Sequence, residues 1–424
     1  MMVEQQERIT ATKLNATSIR NQFPILGSSD KKEPIVYLDS AASSQKPEAV
    51  LSAMQRYYRE DYANVHRGVY KLAERSTEAY EQARRSVARF FGVDDDGQVI
   101  FVRNTTEAIN LAAASWGGAN LGPDDIVVTS VMEHHSNLVP WQFICERTGA
   151  RLAFIGIDDQ GCLKLEDLDR HLETGRVKLV AITHVSNMLG TVNPVEEIIS
   201  RAHAAGALVL VDGAQSAPHM PVDLDALDVD FFACSAHKMC GPMGAGMLYG
   251  RRDLLEAMPP YMGGGEMIRV VELHRSTWAD IPQKFEAGTP SVADAVGFGA
   301  ACDYLREISM EAVREHEHRL TRYAYDQLKE LPAISIYGPG PDERAGVIAF
   351  NIGRVHPHDM ATVLDGENVA VRAGHHCTQP LHEELDLTAS VRASFYVYNT
   401  TGDVDRLLSA LERVYGIFDQ ETAV

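Results

Sequence analysis

Short apolar runs alternate with amphipathic segments along the middle of the chain, and this alternation constrains the fold more than any other feature. The amphipathic stretches include Val139–Arg147 and Pro194–Ala205, which have helical periodicity. Strand-length runs that are apolar on both faces indicate a parallel sheet covered by helices on both sides. We therefore predict an α/β fold built on a mainly parallel sheet. The strands predicted for it are Val99–Val102, Ile126–Thr129, Leu152–Ile157, Lys178–Thr183, Ala207–Val211 and Gly246–Tyr249.

The pattern changes after Pro290, where two long helices are predicted at residues 292–306 and 309–330. Shorter runs follow, and a last helix is predicted from Asp403 to Phe418. This change predicts a smaller α+β domain: residues 35–300 form the large domain, and residues 1–34 and 301–424 form the small one. The strands predicted in the small domain are Ile334–Tyr337, Val347–Asn351, Val369–Arg372 and Val391–Tyr398.

Composition excludes some classes of function. The 424 residues include 59 aspartates and glutamates against 39 lysines and arginines, a formal net charge of −20. A broad nucleic-acid surface needs an excess of cations, so we expect no nucleic-acid partner.

No apolar run is long enough to predict a membrane span, and the N-terminus does not resemble a secretory signal. We expect that N-terminus to be a frayed arm, or an arm that docks on a partner subunit. Six cysteines without disulfide-like spacing fit a reducing, cytoplasmic location.

One lysine stands in a segment of small residues. Lys238 ends the run Ser235-Ala236-His237-Lys238, and Gly241-Pro242-Met243-Gly244 follows. Desolvation in such a setting lowers the pKa of a lysine and makes it a nucleophile or Schiff-base former, although a surface lysine in a turn is the plainer alternative. Asp212, at the end of an apolar run, needs a cationic partner such as a protonated pyridine nitrogen, unless it caps the next segment. Gln215 follows three residues later.

Two further motifs follow predicted strands. The segment Asn104-Thr105-Thr106-Glu107 offers hydroxyls and backbone N–H groups to an anion at a helix N-terminus, although plain helix capping is the commoner use of this pattern. His134 follows another strand, at the edge where open α/β sheets bind ligands, and its ring can lie on a planar ligand. A zinc site is the alternative; its candidate ligands are His134, His135, His375, His376 and Cys377. Their spacing matches no common zinc motif, so we predict no metal.

The last motif is Arg372-Ala373-Gly374-His375-His376-Cys377, with Arg392 downstream. A cysteine beside two histidines and near arginines is in a setting that favours the thiolate, the reactive form of the side chain. Arginine also offers a two-pronged donor to a substrate carboxylate. The alternative is that Cys377 is a buried structural thiol, which is what we expect of the other five cysteines.

Taken together, these motifs resemble the cysteine desulfurases that depend on pyridoxal 5′-phosphate (PLP), in class V of the aminotransferase-like fold. The resemblance extends from Leu38-Asp39-Ser40-Ala41-Ala42 to the final helix. The Arg-x-Gly-His-His-Cys form and Val65-His66-Arg67-Gly68 resemble the Suf-type (SufS) branch. Thr378, where alanine is expected, and Asn104, where glycine is common, depart from the pattern without removing a functional group. The resemblance implies PLP fold type I, like aspartate aminotransferase, with a seven-stranded sheet in the large domain.

The resemblance also assigns roles residue by residue. Lys238 carries the cofactor as a Schiff base and moves protons, and Cys377 is the nucleophile that holds the sulfur as a persulfide. The resemblance also implies that Asp212 contacts the pyridinium nitrogen, that Gln215 contacts the phenolic oxygen, and that His134 stacks on the ring and moves protons. The residues implied at the phosphate are Thr105, Thr106, Ser235 and His237. Thr289 would reach the phosphate of the other subunit of a homodimer. The substrate contacts implied are Arg392, Asn187, Arg372 and His66.

The implied reaction converts L-cysteine to L-alanine and passes the sulfur to a SufU-like or SufE-like acceptor protein for iron–sulfur cluster assembly. His358, in His356-Pro357-His358-Asp359, resembles a position that contacts such an acceptor, although an exposed histidine at a helix cap explains it equally well. The same residues would also serve a selenocysteine lyase or a cysteine-sulfinate-processing relative. Transamination does not need the cysteine motif. A catalytically silent scaffold that binds PLP or metal is the alternative from another class.

Overall fold

The computed structural model describes residues 14–27 and 34–418. The predicted N-terminal arm therefore lies mostly outside the described residues. A seven-stranded sheet is the centre of the molecule, and its strands are β1 (Val99–Val102), β2 (Ile126–Ser130), β3 (Arg151–Ile155), β4 (Val177–Thr183), β5 (Leu208–Asp212), β6 (Phe231–Ser235) and β7 (Gly246–Gly250). Their order across the sheet is β1-β7-β6-β5-β4-β2-β3. Strand β7 is antiparallel to both of its neighbours, and the remaining pairs are parallel.

Successive residues of the central strands pack on opposite faces of this sheet. In β5, Val209 and Val211 belong to the apolar cluster on one face, and Leu210 belongs to the cluster on the other. Side chains alternate along a strand, so a continuous apolar run is what a sheet buried on both faces requires. The α/β fold predicted from the sequence is confirmed. The helices that cover the sheet include Lys71–Phe90, Thr105–Ala112, Val139–Thr148, Leu165–Leu172, Val195–Ala204 and Val292–Ile308, and helix Glu48–Arg56 packs on Val292–Ile308.

The individual predictions need two corrections in this sheet. Strand β6 was not among the predicted strands, because its last residue, Ser235, begins the small-residue segment that we assigned to a loop. Strand β3 is one of the two edge strands, and it is not apolar on both faces: Phe154 is 43% exposed. An edge strand has a neighbour on one side only, and here helices do not cover it fully.

A second, four-stranded antiparallel sheet lies in the C-terminal part. Its strands are β8 (Ile334–Tyr337), β9 (Val347–Ile352), β10 (Arg372–Gly374) and β11 (Ser390–Ser394), in the order β8-β9-β11-β10. The predicted strand Val369–Arg372 is wrong as a single element, because Val369–Ala370 pairs instead with Val36–Tyr37. The predicted strand Val391–Tyr398 ends at Ser394. Helices Met310–Leu328, Pro357–Gly366, Gln379–Glu384 and Thr401–Ile417 accompany this sheet.

The short elements complete the description. Helices Ala16–Arg20 and Pro24–Gly27 precede the first strand, and Phe23 packs edge-on against Tyr398 near the C-terminal helix. A two-stranded hairpin joins Ile268–Val271 and Ser276–Trp278. The helix Val292–Ile308 is continuous through residue 300, so the predicted boundary lies inside it, and the division into two domains stays a prediction. The remaining short α-helices are Gly118–Asn120, Ser216–His219, Leu224–Leu227 and Arg252–Ala257. No helix in the described residues is long and apolar enough to cross a bilayer.

Candidate active site

A cavity of about 330 Å³ lies where the two sheets meet, and most of the predicted site residues line it. Strands β5 and β6 end at its floor with Asp212 and Ser235, and Lys238 follows one turn after β6. The cavity therefore lies at the carboxyl edge of the parallel strands, as expected for an open α/β sheet. The predicted residues that line it are Thr105, Thr106, His134, Asn187, Asp212, Gln215, Ser235, His237, Lys238, Arg372, Cys377 and Arg392.

Asp212 and Lys238 are the charged pair at the floor. Asp212 is 3% exposed and accepts one hydrogen bond, from the Ala214 backbone N–H at 2.9 Å. Burial raises the pKa of Asp212, and the nearby Lys238 ammonium partly offsets the rise. Burial lowers the pKa of Lys238 to about 8, and the Asp212 carboxylate opposes that fall. The lysine is therefore a usable nucleophile near neutral pH.

The turn after Asp212 depends on a glycine. A Cβ on Gly213 would lie 1.9 Å from the ring of Phe232 in the adjacent strand β6, far inside the contact distance that any side chain allows. Glycine therefore lets the backbone turn tightly on that ring. This close approach places Asp212 at the cavity and the buried Gln215 three residues later. The Gln215 Nε2 donates to the Ala41 carbonyl at 2.8 Å.

One end of the cavity is lined by hydroxyl groups. The backbone N–H of Thr105, the first residue of its helix, donates to the Ser235 Oγ at 2.8 Å, and the two hydroxyls lie 2.7 Å apart. The hydroxyl of Thr106 lies 2.7 Å from that of Ser136. Asn104 caps the helix by accepting from the Glu107 N–H at 2.9 Å. Asn104 therefore caps this helix while Thr105 and Thr106 line the cavity.

His134 lines another wall of the cavity, and its hydrogen bonds fix which ring nitrogen carries the proton. The Ser136 backbone N–H donates to its Nδ1 at 3.1 Å, and burial, with Lys238 and His135 nearby, lowers the pKa of His134 to about 3. The ring is therefore neutral, and its proton is on Nε2, which is the donor that remains. The preceding residue, Glu133, is buried, and burial raises the pKa of its carboxyl to about 8.

The opposite wall comes from the small sheet. Arg392 in β11 is 2% exposed, and its NH1 donates to the Asn187 carbonyl at 2.8 Å. Asn187 in turn donates from Nδ2 to the His376 carbonyl at 2.7 Å, which ties it to the cysteine segment. Asp39 contacts both Arg372 and Arg392, a role that the sequence analysis missed although it quoted the motif containing Asp39. Nothing in the local sequence around Asp39 indicated partners more than 330 residues away.

Cys377 is the exposed cysteine of the chain, whereas Cys145, Cys234, Cys240 and Cys302 are buried and Cys162 is half-buried. The alternative of a buried structural thiol is therefore wrong for Cys377. His376 and Cys377 have φ values of +52° and +59°, and Gly374 has +129°, so the segment is a tight, left-handed turn. Residues other than glycine adopt this region at a cost, and such strain is concentrated at functional sites.

Three predicted residues lie elsewhere. His66 contacts Glu81, with 3.1 Å between its Nε2 and the carboxylate, and does not line the cavity. Thr289 lines a separate cavity of about 450 Å³. His358 is exposed in the first turn of the helix Pro357–Gly366, near Gly374: a Cβ built there would lie 3.9 Å from its Nε2. The helix is capped by His356, whose Nδ1 accepts from the His358 N–H at 3.2 Å.

In the described residues, no group of three or more metal-ligating side chains comes together.

Comparison with known proteins identifies the family. The aminotransferase class-V family model matches residues 36–407. A probable cysteine desulfurase from Halalkalibacterium halodurans is 52% identical over 405 residues, covering 96% of this chain and 99% of that protein. A cysteine desulfurase from Haloferax volcanii is 49% identical over 418 residues, covering 96% and 98%. This chain belongs to the cysteine desulfurases of the class-V aminotransferase family. The predicted enzyme class is confirmed, and the family depends on PLP.

Solved structures agree with this assignment. The crystal structure of the cysteine desulfurase CsdA from Escherichia coli aligns with a TM-score of 0.88 at 40% identity, covering 96% of this chain and 100% of that one. The apo cysteine desulfurase from Thermococcus onnurineus aligns with a TM-score of 0.89 at 37% identity, covering 96% and 99%. The fold of the family is thus present over nearly the whole chain.

The polar groups of the cavity fit PLP. The Gln215 Oε1 and the His237 Nδ1 are buried without a hydrogen-bond partner, and Asp212 keeps only its single backbone bond. Buried polar groups are normally paired, so these atoms indicate a polar ligand that pairs with them. A carboxylate, a lysine amine and a hydroxyl-lined helix N-terminus match the pyridinium, aldehyde and phosphate groups of PLP.

Proposed function

We propose that this cysteine desulfurase removes sulfur from free L-cysteine through Cys377, which holds it as a persulfide before an acceptor protein takes it. The observation that carries this proposal is that the exposed Cys377 lines the same cavity as Lys238 and Arg392. A nucleophilic thiol must reach both the substrate and an external acceptor. A cysteine on a surface turn beside a deep pocket meets both needs.

PLP would be held by the residues at the floor and the hydroxyl-lined end of the cavity. Lys238 would bind it covalently, Asp212 would pair with its ring nitrogen, and Gln215 would contact its phenolic oxygen. When bound, PLP supplies an electron sink that labilises bonds at the substrate α-carbon. Thr105, Thr106, Ser235 and His237 would surround its phosphate. His134 would stack on its ring, with the Nε2 proton as a hydrogen-bond donor.

The substrate carboxylate would be held by Arg392 and Asn187. The Arg392 Nε is buried and has no partner, so it retains a donor for an incoming carboxylate. Burial lowers the pKa of Arg392, but the guanidinium stays protonated at neutral pH. Arg372 and His66 are the other residues predicted to contact the substrate.

Sulfur transfer then uses Lys238 and Cys377. The amine of Lys238, whose pKa is lowered to about 8, accepts the α-proton of the substrate. The Cys377 thiolate attacks the substrate Sγ, so an S–S bond forms while the Cβ–Sγ bond breaks. The electron pair of the broken bond stays with the carbon skeleton, which is protonated and leaves as alanine. The persulfide remains on Cys377.

We also propose the finer assignments that the motifs suggest. The cysteine motif supports the Suf-type (SufS) branch, with a SufU-like or SufE-like acceptor and a role in iron–sulfur cluster assembly. The exposure of His358 beside the cysteine segment supports contact with that acceptor. Thr289 would reach the cofactor phosphate of the other subunit in a homodimer, which is consistent with its position outside the cavity of its own chain. The predicted location is the cytoplasm.

The test is release of sulfide and alanine from L-cysteine by PLP-loaded protein in the presence of a reductant. We expect equal amounts of both products from the unaltered protein, at least about 100-fold less from Cys377→Ala, and no change from Cys162→Ala, the matched half-buried thiol. The cofactor absorbance should be the same in all three proteins. Full turnover by Cys377→Ala would contradict the assignment of the nucleophile. Loss of turnover in both variants would contradict the specific role of Cys377.

A further inference from the structure

His382, a buried histidine outside the cavity, is bonded to the residue that follows Cys377. It lies in the short helix Gln379–Glu384, and its Nδ1 is 3.0 Å from the carbonyl oxygen of Thr378. A carbonyl oxygen only accepts hydrogen bonds, so Nδ1 carries the proton. Burial lowers the pKa of His382, so the ring is neutral at neutral pH and its Nε2 is an acceptor.

Ser390, the first residue of β11, connects this ring to the residue that precedes Cys377. Its hydroxyl oxygen lies 3.1 Å from the His382 Nε2 and 3.0 Å from the His376 Nε2. The single hydroxyl proton is donated to His382, whose Nε2 only accepts, and His376 therefore donates to the hydroxyl oxygen. The Ser390 carbonyl oxygen, 3.1 Å from the same His376 nitrogen, requires the same direction because it too only accepts.

One imidazole is thus bonded to both residues that flank the nucleophile. The bonds run from His376 through the Ser390 hydroxyl to His382, and from His382 to the Thr378 carbonyl. The positive φ values of His376 and Cys377, +52° and +59°, cost free energy in residues other than glycine. Bonds on both sides of the turn offset that cost.

The position of these bonds separates them from the other supports of the turn. Asn187 and His135, which donate to the main chain of the turn, belong to segments that follow strands of the seven-stranded sheet. The bonds through Ser390 hold the turn from the small sheet instead. Both His382 and Ser390 are 0% exposed, and every polar atom of their side chains has a partner, so these bonds are rigid and shielded from water.

We propose that His382 is a positioning residue for sulfur transfer, which holds the turn that carries Cys377 by bonding to both of its flanking residues. The inference rests on the proposed function, in which the Cys377 thiolate attacks the substrate sulfur. That attack depends on close alignment of the two sulfur atoms. Proton transfer at Lys238 takes place on another part of the substrate and does not need the turn. Loss of the His382 bonds should therefore slow the step at Cys377 and spare the step at Lys238.

The test separates the two steps in PLP-loaded protein. His382→Phe keeps an aromatic ring and removes both hydrogen bonds of the imidazole. We expect kcat for alanine release from L-cysteine to fall about tenfold or more, because small displacements of a reacting group are costly. Exchange of the α-proton of L-alanine for deuterium, which needs Lys238 but not Cys377, should keep its rate. A parallel fall in exchange, or an unchanged kcat in folded His382→Phe, overturns the proposal.

Two further variants test the path of the bonds. His382→Asn keeps a donor near the position of Nδ1 and loses the acceptor at Nε2, so its kcat should lie between those of the unaltered protein and His382→Phe. Ser390→Ala breaks the same link from the other side. Because both changes remove one bond, the double variant should lose much less than the product of the two single losses. Multiplied losses contradict the path, and Ser390→Ala decides the matter if His382→Phe does not fold.

The control is His316→Asn. His316, in helix Met310–Leu328, is a half-buried histidine outside the cavity, and its Nε2 lies 2.9 Å from the Asn399 carbonyl oxygen. This variant loses a comparable bond to a backbone carbonyl, and it should keep both kcat and the rate of exchange. Equal losses of kcat in His316→Asn and His382→Asn overturn the proposal. If the unaltered protein exchanges L-alanine but releases no alanine from cysteine, the proposed function fails instead, so the two failures are distinguishable.

Discussion

The backbone N–H of His135 donates to the carbonyl oxygen of Cys377 at 2.8 Å. This bond joins the segment after strand β2, which carries His134, to the turn that carries the exposed thiol. The Gln379 N–H adds a second link by donating to the His135 Nε2 at 3.1 Å. The main chain of Cys377 is therefore held against the cavity while its side chain remains accessible, and accessible thiols react selectively.

Alkylation should modify Cys377 first. In the folded, PLP-loaded protein we expect iodoacetamide to label Cys377, then the half-buried Cys162 more slowly, and the four buried cysteines only after unfolding. Peptide mass spectrometry over time measures this order. The loss of desulfurase activity should follow labelling of Cys377, with the cofactor absorbance retained. Comparable labelling of Cys234 or Cys302 in the folded state would contradict the burial described here.

Capture of PLP by the apo-protein should depend on pH with a midpoint near the pKa of Lys238. A lowered pKa means that the amine is an ammonium ion below about 8 and a free nucleophile above it, so the rate of covalent capture should rise through that pH. An ordinary lysine would give a midpoint near 10.4. Stopped-flow absorbance of the covalent adduct measures the rate. Asp212→Asn removes the carboxylate that raises the pKa of Lys238, so its midpoint should fall, and a rise would contradict this electrostatic coupling.

Gly374→Ala should impair the cysteine turn. A Cβ there meets only the His358 Nε2 at 3.9 Å, so space is not the obstacle, but φ is +129° and alanine is strained in that conformation. We expect a loss of stability of about 1–3 kcal/mol and a fall of roughly tenfold in kcat with PLP still bound. Thermal unfolding and alanine release measure the two effects. The control is Gly366→Ala, in an open helical position, which should keep both stability and activity.

Glu286, three residues before Thr289, should contribute strongly to the free energy of unfolding. Its carboxylate accepts from the Arg84 NH1 and the Phe101 N–H, both at 2.7 Å, and from the Tyr80 hydroxyl at 2.9 Å. The side chain of Arg84 is only 1% exposed, so Glu286→Ala leaves this buried cation with Glu81 as its remaining ionic partner and should cost about 3 kcal/mol. Denaturant unfolding measures the loss. Glu256→Ala breaks an exposed pair with Arg252 and should cost at most about 1 kcal/mol; equal losses would contradict the argument.

The sequence predicted those parts of the molecule that depend on local pattern. Strands such as β4 and β5 were found within a residue or two, because both of their faces are buried and their apolar runs are continuous. Strand β6 was missed because its last residue, Ser235, is also the first residue of the small-residue segment that was assigned to a loop. Lys238, Asp212 and Cys377, which line one cavity, were singled out because each interrupts its local pattern with a reactive group.

What sequence could not predict is contact between distant segments. Asp39 was quoted only as part of a motif, since nothing near it indicated a pairing with Arg372 or Arg392. Glu133 was likewise passed over, although its buried carboxyl accepts from the Ser130 hydroxyl at 2.6 Å and from the Thr183 N–H at 3.1 Å. The Asp39–arginine contacts and the Glu133–Thr183 bond depend on how segments far apart in the chain come together, which periodicity does not encode.

The pairing of Asp39 with Arg392 spans 353 positions of the chain, and this has a consequence for biosynthesis. At ribosomal rates of 5–20 residues per second, roughly 20 to 70 s pass between synthesis of the two partners. A nascent chain therefore holds Asp39 without Arg392 throughout that interval, and the cavity is complete only once Arg392 has left the ribosome.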